Sequence, residues 1–174
     1  VTVKNYFELF GFPTQYRIDT KILESAYLSL QQRVHPDRFA QATDTDRRAS
    51  LQWASFANEA YQNLRHPLKR AIHLLNLHGY DVKAHSSTNL EKGFLVQQMQ
   101  WRELLEEASL ASDVAELLRL QKEVADAEEL YIERITQLID DIRDFDLANV
   151  AVQELMFIDK FKSEIADAID QLEI

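Results

Sequence analysis

The chain has 174 residues, 46% of them apolar, with no cysteine and only three glycines and three prolines. These counts exclude disulfides, thiolate zinc sites, cysteine nucleophiles and cysteine-held iron–sulfur clusters, and they favour long helices over turn-rich β structure. The net charge of −10 is unevenly spread: residues 1–78 hold 10 Lys/Arg against 7 Asp/Glu and residues 79–174 hold 9 against 22, an acidic half that would repel a nucleic-acid backbone.

Leu23, Ala26, Tyr27, Leu30 and Val34 recur at helical spacing, which predicts an amphipathic helix. Pro36 disfavours α geometry at His35 and ends it. Leu51, Ala54, Ala57, Tyr61 and Leu64 then mark a second helix of the same kind. Two such helices joined by a polar turn form an antiparallel hairpin, with His35, Pro36 and Asp37 at its tip. A shorter helix follows from Pro67 to His78, with Pro at its first position, Gly79 just past its end and an apolar stripe of Leu68, Ala71, Ile72 and Leu75.

Residues 79–89 lose periodicity and read as a linker. Three long helical patterns follow, over about 91–108, 113–143 and 147–172, with Ser112 or Asp113 expected to cap the second and Asp146 the third. The second carries Leu117, Leu120, Val124, Ala127 and Tyr131 on one stripe. The third carries Leu147, Ala151, Ile158, Phe161, Ile165, Ile169 and Leu172. Short connections make them antiparallel neighbours, hence a three-helix bundle. The expected architecture is all-α, with domains at 1–78 and 90–174 separated by the linker.

Two constellations could carry function. At the hairpin tip, Asp37 offers an ionised carboxylate for a guanidinium, His35 offers two ring nitrogens, and Pro36 stiffens the loop so that docking orders less chain. Read by itself, the same tripeptide is more readily a Pro-capped turn between two helices with Asp37 solvated. The second constellation lies on the helix near 91–108. A step of about 100° per residue puts Trp101, Leu105 and Ala108 within about 40° of Phe94, a core stripe. Leu95, Met99 and Val96 land at about 100°, 140° and 200°, with Glu103 and Gln100 beside them at about 180° and 240°. Phe157 sits at the edge of the last helix's stripe. A second apolar patch on a bundle helix must face something: the N-terminal domain, another copy, or a client.

The N-terminal segment resembles a J-domain. The resemblance rests on Asn5-Tyr6-Phe7-Glu8-Leu9-Phe10-Gly11-Phe12 as a short first helix, on Gln32-Arg33-Val34-His35-Pro36-Asp37-Arg38-Phe39 at the tip, and on Asn58-Glu59-Ala60-Tyr61-Gln62-Asn63-Leu64 in the third helix. It implies a module that docks on a DnaK-type chaperone and triggers its ATP hydrolysis, through His35, Pro36, Asp37 and Arg38, with Lys21 and Arg33 steering the approach. A J-domain fused directly to an acidic three-helix bundle is similar to the HscB family, co-chaperones of iron–sulfur cluster assembly. Phe94-Leu95-Val96-Gln97-Gln98-Met99 and Phe157-Ile158-Asp159-Lys160 match the segments of that family that contact the scaffold protein IscU. The resemblance implies Leu95, Val96, Met99, Gln100, Glu103 and Phe157 as scaffold contacts and an HscA-type ATPase as the other partner. Gln100 stands where the family often has Glu.

No residue set suggests catalysis. His66, His73, His78 and His85 lack partners at metal-ligand spacing, and three isolated glycines build no phosphate loop. Without a long apolar run or a charged leader, the expectation is a cytoplasmic monomer that binds no metal, cofactor, nucleic acid or membrane. The rival readings are a J-domain co-chaperone for another client, and a helical adaptor or enzyme using His35 and Asp37 as an acid–base pair.

Overall fold

Every regular element among the described residues of the computed structural model (5–34, 43–82 and 90–172) is helical. The chain divides into two units, Val1–Gly79 and Tyr80–Ile174.

The first unit contains α1 (Tyr6–Leu9), α2 (Thr20–Val34), α3 (Asp44–Arg65) and α4 (Pro67–Leu77). Short polar side chains start three of them by accepting from first-turn N–H groups that have no helical partner. Asn5 accepts from Phe7 at 3.0 Å, Asp19 from Lys21 at 2.8 Å, and Thr43 from Asp46 at 3.2 Å. Pro67 opens α4, and Gly79 follows its end at φ 86°, a conformation that suits a residue without Cβ. Leu23 of α2 is fully buried, and Tyr27 stacks on Tyr61 of α3 at 4.2 Å, which holds the hairpin arms together. The core gathers Phe7, Tyr16, Leu23, Ala57, Ala60, Leu64, Leu74 and Leu75.

Two polar contacts tie α4 into that core. The Arg70 guanidinium, itself buried, donates to the Leu64 carbonyl at 2.7 Å and lies 4.7 Å from the Tyr16 ring centre. His73 Nε2 accepts from the Tyr6 N–H at 3.2 Å, and the two rings stack at 4.1 Å. One expectation fails here. Leu51, placed on the core stripe of α3, is exposed, and Ser50 is buried instead. Steps of three turn the stripe back by about 60° each, so Leu51 lies about 140° from Leu64 and Ser50 only about 40°.

The second unit contains α5 (Lys92–Leu110), α6 (Val114–Thr136) and α7 (Phe145–Leu172). Ser112 ends α5 in the left-handed region at φ 53°, and the Asp113 N–H returns to the Ala108 carbonyl at 2.9 Å. Of the two cap candidates Asp113 serves: its side chain accepts from the Glu116 N–H at 3.0 Å. The continuous helix expected to 143 instead widens into a π turn over Gln137–Ile142, and Arg143 reverses the chain at φ 62°. Asp144, not Asp146, then caps α7 by accepting from the Leu147 N–H at 2.9 Å. The third helix therefore begins before its expected start, which leaves Asp146 in its first turn, accepting from the Tyr80 hydroxyl at 3.0 Å. Leu117, Leu120 and Val124 of α6 and Ala151, Ile158, Phe161 and Ile165 of α7 are all buried in the core. Leu105 is half-buried, and Leu147 faces solvent although periodicity put it on the core stripe.

Candidate partner-binding surfaces

The tip residues His35, Pro36, Asp37 and Arg38 lie outside the described residues. Lys21 and Arg33 are both exposed on α2. They stand twelve positions apart, about 18 Å along the axis and about 120° around it, so they do not form one patch. Arg33, in the last turn, is the one that neighbours the tip in sequence.

On α5 the second constellation is laid out as the wheel predicts. Phe94, Trp101 and Ala108 are buried, whereas Leu95, Val96 and Met99 are 38%, 55% and 71% exposed, with Gln100 and Glu103 exposed alongside. Trp101 shows why the core stripe is fixed. Its ring stacks parallel on Phe161 at 6.1 Å, and its Nε1–H donates to Glu123 of α6 at 2.8 Å. Phe157 of α7 is half-buried and belongs to both worlds. It meets Phe94 edge-on at 5.6 Å, stacks on Phe161 at 5.7 Å, and lies beneath the Arg102 guanidinium, 5.3 Å from its ring centre. Arg102, which sequence reasoning passed over, thus roofs one face of Phe157 and reaches Glu164 at 3.4 Å.

α5 and α7 run parallel and in register. Glu91 meets Glu154, Phe94 meets Phe157, and Arg102 meets Glu164. The apolar surface therefore spans two helices, with exposed Leu95, Val96 and Met99 from α5 and half-buried Phe157 from α7. At its base sits a polar cluster that the sequence reading missed. Glu154 is fully buried, its Oε1 accepting from the Glu91 N–H at 2.9 Å and its Oε2 3.9 Å from Arg134. Arg134 in turn holds the Glu91 carboxylate at 2.5 Å. Burial raises the Glu154 pKa above the usual carboxylate range, while Arg134 lowers that of Glu91. Burial and the neighbouring Glu154 also raise the Tyr131 phenol, whose ring meets Phe94 edge-on at 5.8 Å. A sequence signal existed: Glu154 stands four residues before Ile158 and seven before Phe161, inside the apolar stripe.

Among the described residues no cluster of three His, Cys, Asp or Glu could hold a metal ion, and no helix is long and apolar enough to cross a membrane. His73 has a structural place, on α4 against Tyr6 and Phe7 of α1, and burial pushes its pKa down to about 4.

A two-helix hairpin in one unit and a helical bundle with an unburied apolar face in the other define a two-module all-helical protein with a candidate partner-binding surface. Residues 90–166 match the family model described as the HSCB C-terminal oligomerisation domain. The chain is 46% identical, over 97% of its length and 96% of the relative's, to the co-chaperone protein HscB homolog of Burkholderia thailandensis. Its fold is similar to chaperone HscB from Vibrio cholerae (TM-score 0.84, 36% identity, 97% of this chain and 99% of that one). It is also similar to the human co-chaperone protein HscB (TM-score 0.87, 26% identity, 95% and 82%). The chain belongs to the HscB family of co-chaperones.

Proposed function

We propose that this co-chaperone bridges two proteins: an HscA-type, DnaK-like ATPase at the hairpin tip and an IscU-type iron–sulfur scaffold at the bundle. The observation that carries the reading is the apolar surface of Leu95, Val96 and Met99 beside Phe157, left open on a bundle whose core is already filled. Such a surface stabilises nothing while solvated and becomes an anchor once a partner covers it. Gln100 and Glu103 supply its polar rim. Basic residues are sparse on α2, where Lys21 and Arg33 are far apart, which fits one dedicated ATPase more than many.

In this reading the chain has no catalytic step of its own and works in the cytoplasm as a monomer, without cofactor. The ATPase is activated by His35, Pro36, Asp37 and Arg38. Asp37→Asn removes a charge-assisted acceptor worth about 1.5–3 kcal/mol. Steady-state ATP hydrolysis by an HscA-type partner should then lose its stimulation while the far-UV circular dichroism of the variant matches the parent. Undiminished stimulation would overturn the tip assignment. The matched domain's description names oligomerisation, which supports a second reading in which another copy covers the patch. Sedimentation at rising concentration, with and without scaffold, separates the two.

A further inference from the structure

We propose that Glu154 is a positioning residue for the scaffold-binding surface, pinning the first turn of α5 to α7 so that Leu95, Val96 and Met99 stand in register with Phe157. The inference rests on the scaffold reading given above and deepens it. A surface shared by two helices is only as well formed as the register between them, and that register needs a lock near the shared residues.

The geometry puts a lock there. Glu91 is the N-cap of α5 and makes no side-chain cap bond of its own. Its N–H is instead taken by Glu154 Oε1 at 2.9 Å, from a carboxylate with no exposure to solvent. Glu91 stands one helical turn before Leu95, and Glu154 stands one turn before Phe157, so the bond lies at the foot of both halves of the patch. Arg134 closes the triangle from α6, at 2.5 Å from Glu91 and 3.9 Å from Glu154. The aromatic contacts Tyr131–Phe94 and Phe94–Phe157 continue from this cluster to the surface, at 5.8 and 5.6 Å.

The chemistry explains why an acid is buried there. A methionine or leucine would fill the volume and leave the Glu91 N–H without an acceptor, freeing the first turn of α5 to slide or fray. A carboxyl group accepts through Oε1 whether or not it carries a proton, so the lock needs no particular ionisation state. An apolar core can tolerate several neighbouring registers, whereas one hydrogen bond from a fixed position tolerates one.

The test uses the full chain, titrated calorimetrically with an IscU-type scaffold at 15 °C, alongside unfolding midpoints. Glu154→Met should lower scaffold affinity about 10-fold or more while the protein remains folded, and should speed hydrogen exchange in the first turn of α5. Glu154→Gln keeps an acceptor oxygen and should hold affinity within about 3-fold of the parent. A lowered midpoint with parental affinity for the Met variant would show a structural role only and overturn the proposal. Should the Met variant fail to fold, Glu91 decides. At φ −63° and ψ 138° its backbone already suits proline. Glu91→Pro removes the donor and the side chain, and Glu91→Ala removes the side chain alone. Binding about 10-fold weaker for Pro than for Ala supports the lock, and equal binding refutes it. A Leu95→Ala/Met99→Ala variant that binds like the parent would instead show that the scaffold reading has failed, and the proposal would fall with it.

Discussion

Lowering the pH from 7 to 5 should destabilise the first unit through His73. The ring is only 7% exposed, stacks on Tyr6 at 4.1 Å, and accepts the Tyr6 N–H on Nε2, so the proton of the neutral ring sits on Nδ1. Protonating Nε2 would remove that acceptor and place a charge among Phe7, Tyr6 and the core of α4. Burial accordingly holds the folded pKa near 4 against an ordinary 6.5. Because the unfolded chain takes up the proton first, the stabilisation is complete above about pH 6.5 and is lost as pH falls toward about 4. The two values give a loss of about 2 kcal/mol between pH 7 and pH 5, with a ceiling of about 3 kcal/mol below that. Urea unfolding of the parent and of His73→Gln, which keeps an acceptor but does not titrate, isolates the effect from the carboxylates. The difference between the two proteins should change by about 2 kcal/mol across that range. Parallel pH profiles, or a His73 ring titration by NMR with a midpoint above 6, would refute the argument.

Replacing Leu95 and Met99 together by Ala should move the unfolding free energy by no more than about 1 kcal/mol, since Met99 is largely exposed and Leu95 partly so, yet weaken scaffold binding by about 1–2 kcal/mol for each. Phe157→Ala behaves differently from what the sequence suggested, because its ring also stacks on Phe94 and Phe161; denaturant titration should show a stability loss of about 2–3 kcal/mol besides the loss of binding. Trp101→Ala should cost about 3–5 kcal/mol, removing a buried ring and leaving Glu123 without its indole partner. Its binding, measured on whatever fraction remains folded, should fall only if the patch depends on the core beneath it.

Much of the all-α architecture is written in local signals. Period-3.6 stripes announce α2, α3 and α5–α7, Pro67 and Gly79 bracket α4, and the wheel on α5 separates buried Phe94 and Trp101 from exposed Leu95, Val96 and Met99. These are properties of a helix with its own neighbours, so a sequence carries them whole. Where reasoning slipped, the deciding partner lay far along the chain or the backbone left α geometry. The π turn at 137–142 has no Gly or Pro to mark it, and it moved the α7 cap from Asp146 to Asp144. Leu51 and Ser50 exchanged roles because a stripe precesses over four turns.

Phe157 looked like an edge residue from α7 alone. Its double duty emerges only when α5 runs parallel beside it, bringing Phe94 and Arg102 against the ring. Glu154 is the sharpest case. Periodicity places it on the buried stripe, where a carboxylate without a partner would cost several kcal/mol. The partners that make it tolerable are a backbone N–H 63 residues earlier and, on a third helix, the Tyr131 phenol and the Arg134 guanidinium. Helix faces follow from spacing along one segment, whereas the register between segments is set by side chains that meet only after folding.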